Sequence, residues 1–530
     1  MNTFTLPRYT TPFFTDIANQ LVYNQEKLES FINRPFLIEN FKDQIGEKAT
    51  YFNHEKRNTL AKVLEEQYVG LDEKSPVFRN IQLLKKQNTF TITTGHQLNI
   101  FTGPLYVVLK VLNVINLAEK LHLEYPEYHF VPVHWLASED HDFDEVNHTY
   151  LFGKKVLWDE YQGGSTGKYD LVNWNELKNQ LHQFFQNQPD SKVHEIIDSF
   201  DGENLAKATK NLIHFLFEKY GLIVLDADHS ALKTEFSATM KKEVTDSFVE
   251  KQVAVTNDAL IQKGIKPQAF ARPINLFYAQ KGLRNRLIPN ENGEISIAGI
   301  GTFSKTEILE MIDANPARFS PNVLMRPLYQ ETILPNLVYV GGGGEIAYWL
   351  QLKNVFKEAN IPYPLIQVRV SAQIFDSKII QKWKNLGFET KEIFGNELNL
   401  KKQFVERNES SSDKFEQVSN DYQNLVTSLR ALTKEKENES LGSYIESEVV
   451  KMGKQIDTIF GKFDKNKKQR HEVSLKQIED ILKKVFPDQG LIERKENFFG
   501  LLQNQDPFYC IDLLKNNINP FEKDLLCIQW

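Results

Sequence analysis

Five acidic side chains stand within seven residues of one another, directly after an apolar run at residues 131–137. Carboxylates at this spacing repel one another, so the cluster needs a cation among them: a lysine or arginine, a metal ion, or the ammonium group of a substrate. Two histidines, His141 and His148, lie within the cluster or just after it. The five acids are Glu139, Asp140, Asp142, Asp144 and Glu145.

Three interpretations of this cluster are open from the residues alone. Asp140, Asp142 or Glu145 could bind and deprotonate an amine as a general base. His141, Asp142 and Glu145 could instead be ligands of a metal ion. In the third interpretation, the acids only pair with arginine or lysine side chains and organise one edge of a sheet.

A second polar motif, at residues 94–97, opens the connection between a predicted strand and a helix. Free N–H groups and the dipole at a helix start attract phosphate or carboxylate. His96 could donate a hydrogen bond to such an oxyanion. Thr102 or Gly103 suits the helix cap and Pro104 suits the first helical position, so the amides after Pro104 could complete the site. Alternatively, the glycines only turn the chain and His96 only caps a backbone group.

Four consecutive glycines at residues 341–344 lie between another predicted strand and a helix. Glycine lets the backbone approach a ligand closely. Glu345 and Tyr348, about one helical turn apart, would project from the same side of that helix. A mobile turn without a ligand is the alternative.

The elements that must position these motifs follow a strand–helix–strand pattern. A long apolar helix at about 105–121 separates the first two strands, which is typical of a doubly wound α/β sheet. Acidic residues also end the third strand, so its end and the end of the second strand are expected at one edge of the sheet. The predicted strands are residues 89–94, 130–137, 221–228, 337–340 and 365–368.

After about residue 385 the pattern changes to heptads. Two long helices, joined by a polar break at 434–440, predict an antiparallel coiled-coil hairpin that pairs with a second copy of the chain. The alternative is a helical bundle within one chain. The first seam comprises Phe415, Val418, Tyr422, Leu425, Leu429 and Leu432.

These patterns predict three segments. Residues 1–384 form an α/β core with insertions at about 151–200 and 230–300, in which 270–302 are short strands and turns. Residues 385–486 form the coiled-coil domain, and residues 487–530 pack back on the core. A single helix is expected from Glu345 to about Ala359.

Composition excludes several classes of protein. The 530 residues are 41% hydrophobic and 25% charged, with a formal net charge of −7, so a nucleic-acid binder is not expected. The two cysteines, Cys510 and Cys527, make neither a disulfide framework nor a zinc motif. The N-terminal sequence does not resemble a signal peptide, and no apolar run is long enough to span a membrane. We expect a cytoplasmic protein.

Two further motifs have simpler explanations. Residues 163–168 resemble a phosphate-binding P-loop, but Gln162 and Tyr169 break the pattern and no buried strand precedes it. Residues 303–306 are similar to the lysine loop of class I aminoacyl-tRNA synthetases, yet Ser304 and Glu307 also form the capping box that opens a helix.

Four motifs together strongly resemble the cysteine-adding enzymes of bacillithiol biosynthesis: TGHQLNIFTGPLYVVLK, PVHWLASEDHDFDEVNH, SPNVLMRPLYQETILP and YVGGGGEIAYW. The segment HEVSLKQIEDILKKVFPDQGLIERKENF fits the same family, so the resemblance runs along the whole chain. Two positions depart from the family pattern: His96 stands where glutamine is common, and Gly343 where proline is usual.

The resemblance implies a Rossmann-like core of the nucleotidyltransferase type, with connecting insertions and a coiled-coil domain that dimerises. It implies a ligase that joins L-cysteine to glucosaminyl-malate through an amide bond, in the last step of bacillithiol synthesis. The chemistry suggests ATP with Mg²⁺ as the activating cofactor, and no structural metal. Arg326, Arg272 or Arg369 could bind the malate dianion. Two alternatives remain: a metal-dependent hydrolase built on His141, Asp142 and His148, and a non-catalytic dimeric scaffold that binds a nucleotide.

Two sets of site residues are expected. The catalytic candidates are Asp140, Asp142, Glu145, His141 and His96. The substrate- and nucleotide-binding candidates are Gly95, Gln97, Thr102, Gly103, Pro104, Ser138, Glu139, Asn147, His148, Arg326, Gln330, Gly341, Gly342, Gly343, Gly344, Glu345 and Tyr348.

Overall fold

The computed structural model describes residues 2–408, 413–434, 439–502 and 504–530. The chain divides into two compact units. The larger unit comprises Thr3–Gln373 and Leu491–Ile528, and the smaller comprises Ile374–Gly490 with a few residues from the chain ends.

A five-stranded parallel sheet lies at the centre of the larger unit. Its strands are β1 (Thr89–His96), β2 (His129–Leu136), β3 (Ile223–Asp226), β4 (Asn336–Gly341) and β5 (Leu365–Val368). The spatial order is β5-β4-β1-β2-β3, and every neighbouring pair is parallel. This is the doubly wound order, in which the winding reverses between β1 and β4. The predicted α/β class, the Rossmann-like core and the five predicted strands are confirmed.

Helix α1 (Tyr106–Glu124) connects β1 to β2, but it begins later than the sequence predicts. Leu105 precedes its first turn, and no side chain caps it. Thr102 and Gly103 have positive φ angles of 69° and 67° and cannot act as the predicted cap. The Asn497 side chain donates to the carbonyls of Phe101 (2.6 Å) and Gly103 (2.8 Å). This contact from a distant part of the sequence fixes a tight turn that the local pattern does not show.

The glycine run leads into helix α2 (Gly343–Trp349), which is shorter than expected. The prediction of a single helix from Glu345 to about Ala359 is wrong, because the helix ends at Trp349 and a separate helix, Lys353–Glu358, follows it. The Tyr363 hydroxyl donates to the Trp349 carbonyl at 2.7 Å and so occupies an acceptor of the helix end. The capping box predicted at Ser304 is present.

Other helices cover the central sheet or belong to the insertions. None of the helices in the described ranges is long and apolar enough to cross a membrane. The remaining helices of the larger unit are Asp16–Tyr23, Phe41–Tyr51, His54–Gln67, Pro76–Leu83, Phe143–Val146, Trp174–Phe184, Val193–Ser199, Leu205–Phe217, Ser230–Asp246, Phe248–Gln262, Lys305–Ala314, Arg326–Ile333 and Pro507–Asn517.

A second, antiparallel sheet arises from the region where short strands are predicted. Its strands, in spatial order, are Gly301–Phe303, Ile295–Ile297, Leu283–Pro289, Leu276–Gln280 and Phe319–Pro321. His148–Leu151 and Lys154–Leu157 form a hairpin. The other strands are Asn2–Leu6, Ala372–Phe375 and Leu525–Gln529.

The smaller unit is helical and contains the predicted antiparallel hairpin. Helices α3 (Asp413–Leu432) and α4 (Gly442–Arg470) lie side by side. The Tyr422 hydroxyl donates to the Val449 carbonyl at 2.8 Å, and Arg430 pairs with Glu446 at 2.6 Å. The remaining helices of this unit are Ser377–Asn385, Glu397–Asn408 and Glu472–Val485.

The predicted heptad seam is only partly covered inside the single chain, because Tyr422 and Leu429 are half-buried and three other seam residues are exposed. Val418, Leu425 and Leu432 are 48%, 49% and 53% exposed. The Phe415 side chain and residues 435–438 of the predicted polar connection lie outside the described residues. An apolar stripe on a hairpin is typical of coiled coils that pair with a further helix.

Candidate functional site

A cavity of about 1020 Å³ opens where the central sheet reverses its winding. Its walls include residues that directly follow the carboxyl ends of β1, β2, β4 and β5. In open α/β sheets this edge, at the reversal of strand order, is the position where ligands bind. The volume is large enough for ligands of metabolite and nucleotide size.

The structure brings about half of the expected site residues to this cavity. The expected residues that line it are Gly95, His96, Gln97, Glu139, Asp140, His141, Arg326, Gly342, Gly343, Gly344, Glu345 and Tyr348. The expected residues that are not among its lining residues are Thr102, Gly103, Pro104, Ser138, Asp142, Glu145, Asn147, His148, Gln330 and Gly341.

Asp140 is the carboxylate of the acid cluster that is best placed for chemistry. One of its oxygens accepts from the Gln97 side chain at 2.7 Å, and the other accepts from the His141 backbone at 2.7 Å. Burial raises the pKa of Asp140, but hydrogen bonds from His141 and Gln97 and the nearby charge of Arg284 outweigh it and hold the pKa below its usual range. Asp140 is therefore an anion at neutral pH.

A guanidinium group contacts His141, the histidine inside the acid cluster. Arg284 donates to His141 Nδ1 at 2.8 Å and also stacks on the Phe277 ring, 3.8 Å from its centroid. The same Nδ1 lies 3.5 Å from an Asp140 oxygen, so the His141 ring stands between Arg284 and Asp140. The sequence did not point to Arg284, which comes from the antiparallel sheet.

The other acids of the cluster have structural partners. Glu139 forms an ion pair with the fully buried Lys233. Asp142 accepts from the Glu145 backbone at 3.3 Å and caps a short helix. Glu145 accepts from Gln97 at 2.6 Å, which ties the loop after β1 to the cluster. Of these three acids, Glu139 pairs with a lysine as the third interpretation of the sequence has it, whereas Asp142 and Glu145 accept from neutral N–H groups.

The metal-site interpretation has no geometric basis. Within the described ranges, no three histidine, cysteine or acidic side chains are placed to hold a metal ion together. His148, which the hydrolase alternative requires, contacts the Asn147 side chain at 3.0 Å and is not among the residues lining the cavity. The predicted ligands His141, Asp142 and Glu145 are also not grouped around one point.

Lys110 connects the end of β1 with the first turn of α2, on the two sides of the reversal of winding. Its ammonium group is buried and donates to the Gly95 carbonyl (2.6 Å) and to Glu345 (2.8 Å). Glu345 also accepts from the Tyr339 hydroxyl at 2.6 Å and from the Gly342 amide at 3.0 Å. Burial by itself raises the pKa of Glu345, but the charge of Lys110 and these hydrogen bonds outweigh burial and lower the pKa to about 2. A charged network therefore fixes the glycine loop in place.

His96 lies beside this network in a neutral form. Burial and the charge of Lys110 lower the pKa of His96 to about 3. Its Nε2 lies 3.3 Å from the Tyr106 hydroxyl, and the two rings meet edge to face. A neutral imidazole can position a hydrogen bond to a ligand but carries no charge with which to bind an anion.

Arg326 is the predicted arginine that is best placed to bind a ligand. Its guanidinium packs against the Trp135 and Tyr339 rings, 5.8 Å and 5.2 Å from their centroids. It donates to the Gln330 side chain at 3.0 Å, while its Nη2 is buried without a hydrogen-bond partner. The other predicted arginines are less suited: Arg272 is exposed, and Arg369 forms a bidentate ion pair with Glu493 at 2.8 and 2.9 Å.

The cavity is richer in cations than the acid cluster suggests. Among the described residues that line it, eight are arginine or lysine and three are acidic. Several of the cations were missed, including three from the N- and C-terminal parts of the larger unit and from the antiparallel sheet: Arg8, Arg494 and Arg286. Only Lys110 carried a local signal, because a lysine interrupts an otherwise apolar helix. The lining favours anionic ligands, with Asp140 as an ionised carboxylate beside them.

The fold and site together define a Rossmann-like α/β protein with a cation-rich cavity at the reversal of its sheet and a coiled-coil unit. Two family models match the chain. "Bacillithiol biosynthesis BshC, N-terminal Rossmann-like domain" covers residues 1–370, and "Bacillithiol biosynthesis BshC, C-terminal coiled-coil domain" covers residues 372–530. The chain belongs to the BshC family of bacillithiol biosynthesis, which confirms the resemblance seen in the sequence.

Individual relatives extend over most of the chain. A Flavobacterium psychrophilum protein named "Putative cysteine ligase BshC" is 38% identical over 500 residues, which is 92% of each chain. A protein of the same name from Flavobacterium johnsoniae is 35% identical over 524 residues, or 97% of each chain. A Bacillus cereus protein of that name is 27% identical over 443 residues, covering 80% of this chain and 82% of its own.

Proposed function

We propose that this protein is a ligase that joins the carboxylate of L-cysteine to the amine of glucosaminyl-malate, completing bacillithiol. The observation that carries the proposal is the position of Asp140, an ionised carboxylate in the wall of a cation-rich cavity at the reversal of the sheet. The family assignment and the names of the relatives support it.

The reaction requires activation of a carboxylate, and we propose that ATP with Mg²⁺ supplies it. A free carboxylate does not react with an amine in water, because its oxygen is a poor leaving group. Transfer of an adenylyl or phosphoryl group from ATP gives the cysteine carboxyl a good leaving group. The cationic lining and the amides of Gly343 and Gly344 are suited to stabilise that negatively charged group.

We propose that Asp140 binds the ammonium form of the glucosamine nitrogen and receives a proton from it. The low pKa of Asp140 makes it a weak base toward a free ammonium ion. The nitrogen becomes far more acidic once it has begun to form the C–N bond, so transfer to Asp140 is favourable at that stage. The ammonium group first loses one proton to water, which frees the nitrogen lone pair for attack. The C–N bond then forms, the bond to AMP or phosphate breaks, and the second proton of the nitrogen passes to the carboxylate.

The malate portion of the substrate carries two carboxylates, and Arg326 is suited to bind one of them. Its unpartnered Nη2 supplies a donor in the cavity wall. Hydrogen bonds between a guanidinium and a carboxylate are charge-assisted and among the stronger ones in proteins. The aromatic rings of Trp135 and Tyr339 hold the guanidinium in orientation.

Asp140→Asn tests the assignment directly. The substitution keeps the shape and the hydrogen-bond acceptor toward His141 but removes the charge. We expect thiol product to fall at least about 100-fold, the low end of the range for loss of a general acid or base, with an unchanged circular-dichroism spectrum. Asp144→Asn, at an exposed position outside the cavity lining, is the matched control. Wild-type turnover by the Asp140 variant would exclude the proposed role.

We also propose that the protein is a homodimer formed through α3 and α4. The exposed seam residues Val418, Leu425 and Leu432, together with Ile459 and Phe463 at 51% and 52% exposure, give the hairpin an apolar surface. A second copy of the same hairpin is the simplest partner for such a surface.

A further inference from the structure

The segment that contains Arg8 forms one wall of the cavity and is firmly held. The Arg8 amide donates to the Tyr23 hydroxyl at 2.9 Å, and that hydroxyl donates to Asp524 at 2.7 Å. Arg8 is 1% exposed, yet it belongs to the cavity lining. Its backbone is therefore fixed, and its side chain is enclosed by protein except toward the cavity.

The Arg8 guanidinium lacks most of the acceptors that a buried arginine needs. Its Nη2 donates to the Arg369 carbonyl at 3.0 Å, but Nε and Nη1 are buried without a hydrogen-bond partner. Buried donors of a charged group are costly when they stay unpaired. Such an arrangement is stable where a ligand brings the missing acceptors.

The charges around Arg8 also favour an anionic ligand. Arg369 and Arg494 also line this part of the cavity, and Arg8 and Arg494 both approach the Phe14 ring, 5.2 Å and 5.6 Å from its centroid. The buried carboxylate of Glu493 is already used: it forms the bidentate pair with Arg369 and accepts from the Ala372 amide at 2.8 Å. The charge of Glu493 acts on all three guanidinium groups, but its ion pair is with Arg369.

We infer that Arg8, supported by Arg369 and Arg494, binds an oxyanion group of a substrate, either a carboxylate or a phosphate. The inference rests on the proposed function, which supplies two sources of such a group: the malate of the sugar substrate and the polyphosphate of ATP. The position is distinct from that of Arg326, which packs against Trp135 and Tyr339. The cavity therefore holds two separate anion-binding groups.

Direct binding of L-malate and of ATP to the full-length protein tests the inference. Arg8→Met removes the charge, Arg8→Lys keeps the charge but not the Nε and Nη donors, and Arg79→Gln changes an exposed arginine outside the cavity lining. Loss of a charge-assisted hydrogen bond corresponds to about 10- to 100-fold in affinity. We expect Arg8→Met to weaken one of the two ligands by that factor, Arg8→Lys to weaken it less, and Arg79→Gln to have no effect.

The ligand that is affected identifies the source of the oxyanion. Weaker malate binding assigns the site to a carboxylate, and weaker ATP binding assigns it to a phosphate. Unchanged affinity for both ligands in Arg8→Met would overturn the inference, and so would a wild-type protein that binds neither ligand.

Thermal stability separates ligand binding from a structural role. A binding residue with unpaired donors predicts that ligand-free Arg8→Met melts at or above the wild-type temperature, whereas a structural arginine predicts a lower one. If Arg8→Met fails to fold, Arg8→Lys carries the binding test. Product formation with unchanged KM values in the Arg8 variants would leave the proposed function intact and remove the inference. Malate or ATP binding that depends on Arg8, without any product, would support the inference and contradict the proposed function.

Discussion

Lys110→Met removes the buried cation that joins the end of β1 to the first turn of α2. The substitution keeps the length and apolar stem of the side chain but leaves the Glu345 carboxylate without its charged partner at 2.8 Å. In the wild type the pKa of Glu345 is lowered from 4.5 to about 2, a difference that corresponds to about 3 kcal/mol. We expect most of this stabilisation, about 2 to 3 kcal/mol, to be lost.

The melting temperature of the larger unit, followed by differential scanning calorimetry, is the assay. A loss of this size lowers the melting temperature by about 3 °C in a unit of several hundred residues. Lys120→Met is the matched control, because Lys120 is an exposed lysine on the same helix. We expect the control to melt within about 1 °C of the wild type, as surface substitutions usually do.

The double variant Lys110→Met/Glu345→Gln distinguishes a buried ion pair from simple loss of packing. Neutralising Glu345 removes the uncompensated charge, so the double variant should be more stable than Lys110→Met alone. The pKa of Glu345 is lowered in the folded state, so the stabilisation is present above pH 4.5 and is lost as the pH falls toward 2. The gap between the wild type and Lys110→Met should therefore narrow at pH 3. The reasoning would be refuted if the two substitutions had additive effects on the free energy of unfolding. It would also be refuted if the stability difference between the wild type and Lys110→Met did not change with pH.

Two other predictions follow from the structure. Burial raises the pKa of Glu243 from 4.5 to about 7. The folded state therefore holds a proton that the unfolded state has lost, and the free energy of unfolding decreases by about 3 kcal/mol as the pH rises from 4.5 to above 7. Calorimetry at pH 5 and pH 7.5 should show a smaller decrease for Glu243→Gln than for the wild type, and an equal decrease in both proteins would contradict the assignment. The double variant Leu425→Asp/Leu432→Asp should be a monomer when its mass is measured by light scattering. The control Leu398→Asp, at a leucine that is 76% exposed and lies outside the hairpin, should remain a dimer. A dimeric double variant would place the interface elsewhere.

The central sheet was predictable because its strands are short apolar runs with polar residues at their carboxyl ends. That pattern is local, and it places His96, Asp140 and the glycine loop at the carboxyl ends of their strands. The heptads of α3 and α4 are likewise local. In both cases the spacing of the apolar residues along the sequence determines which face of the strand or helix is apolar.

The errors arise where distant residues decide the local structure. Asn497 binds two carbonyls of the turn before α1, and the helix starts without a side-chain cap. At the early end of α2, the Trp349 carbonyl accepts from the Tyr363 hydroxyl and from the Leu352 amide. No periodicity within α1 or α2 contains this information.

The charge of the cavity was also beyond local reasoning. The acid cluster suggested an anionic site, but Lys233 neutralises Glu139, and Asp142 serves as a helix cap. The cations come from the N-terminal segment, the antiparallel sheet and the C-terminal segment, as Arg8, Arg284 and Arg494 show. Only tertiary folding brings these residues to one cavity.

Mass spectrometry of a reaction that contains cysteine, glucosaminyl-malate, ATP and Mg²⁺ tests the central claim most directly. The account predicts a new thiol with the summed mass of the two substrates less one water, formed in step with AMP or ADP, and absent with Asp140→Asn. A wild-type reaction that leaves both substrates unchanged, or that forms the thiol without consuming ATP, would contradict it.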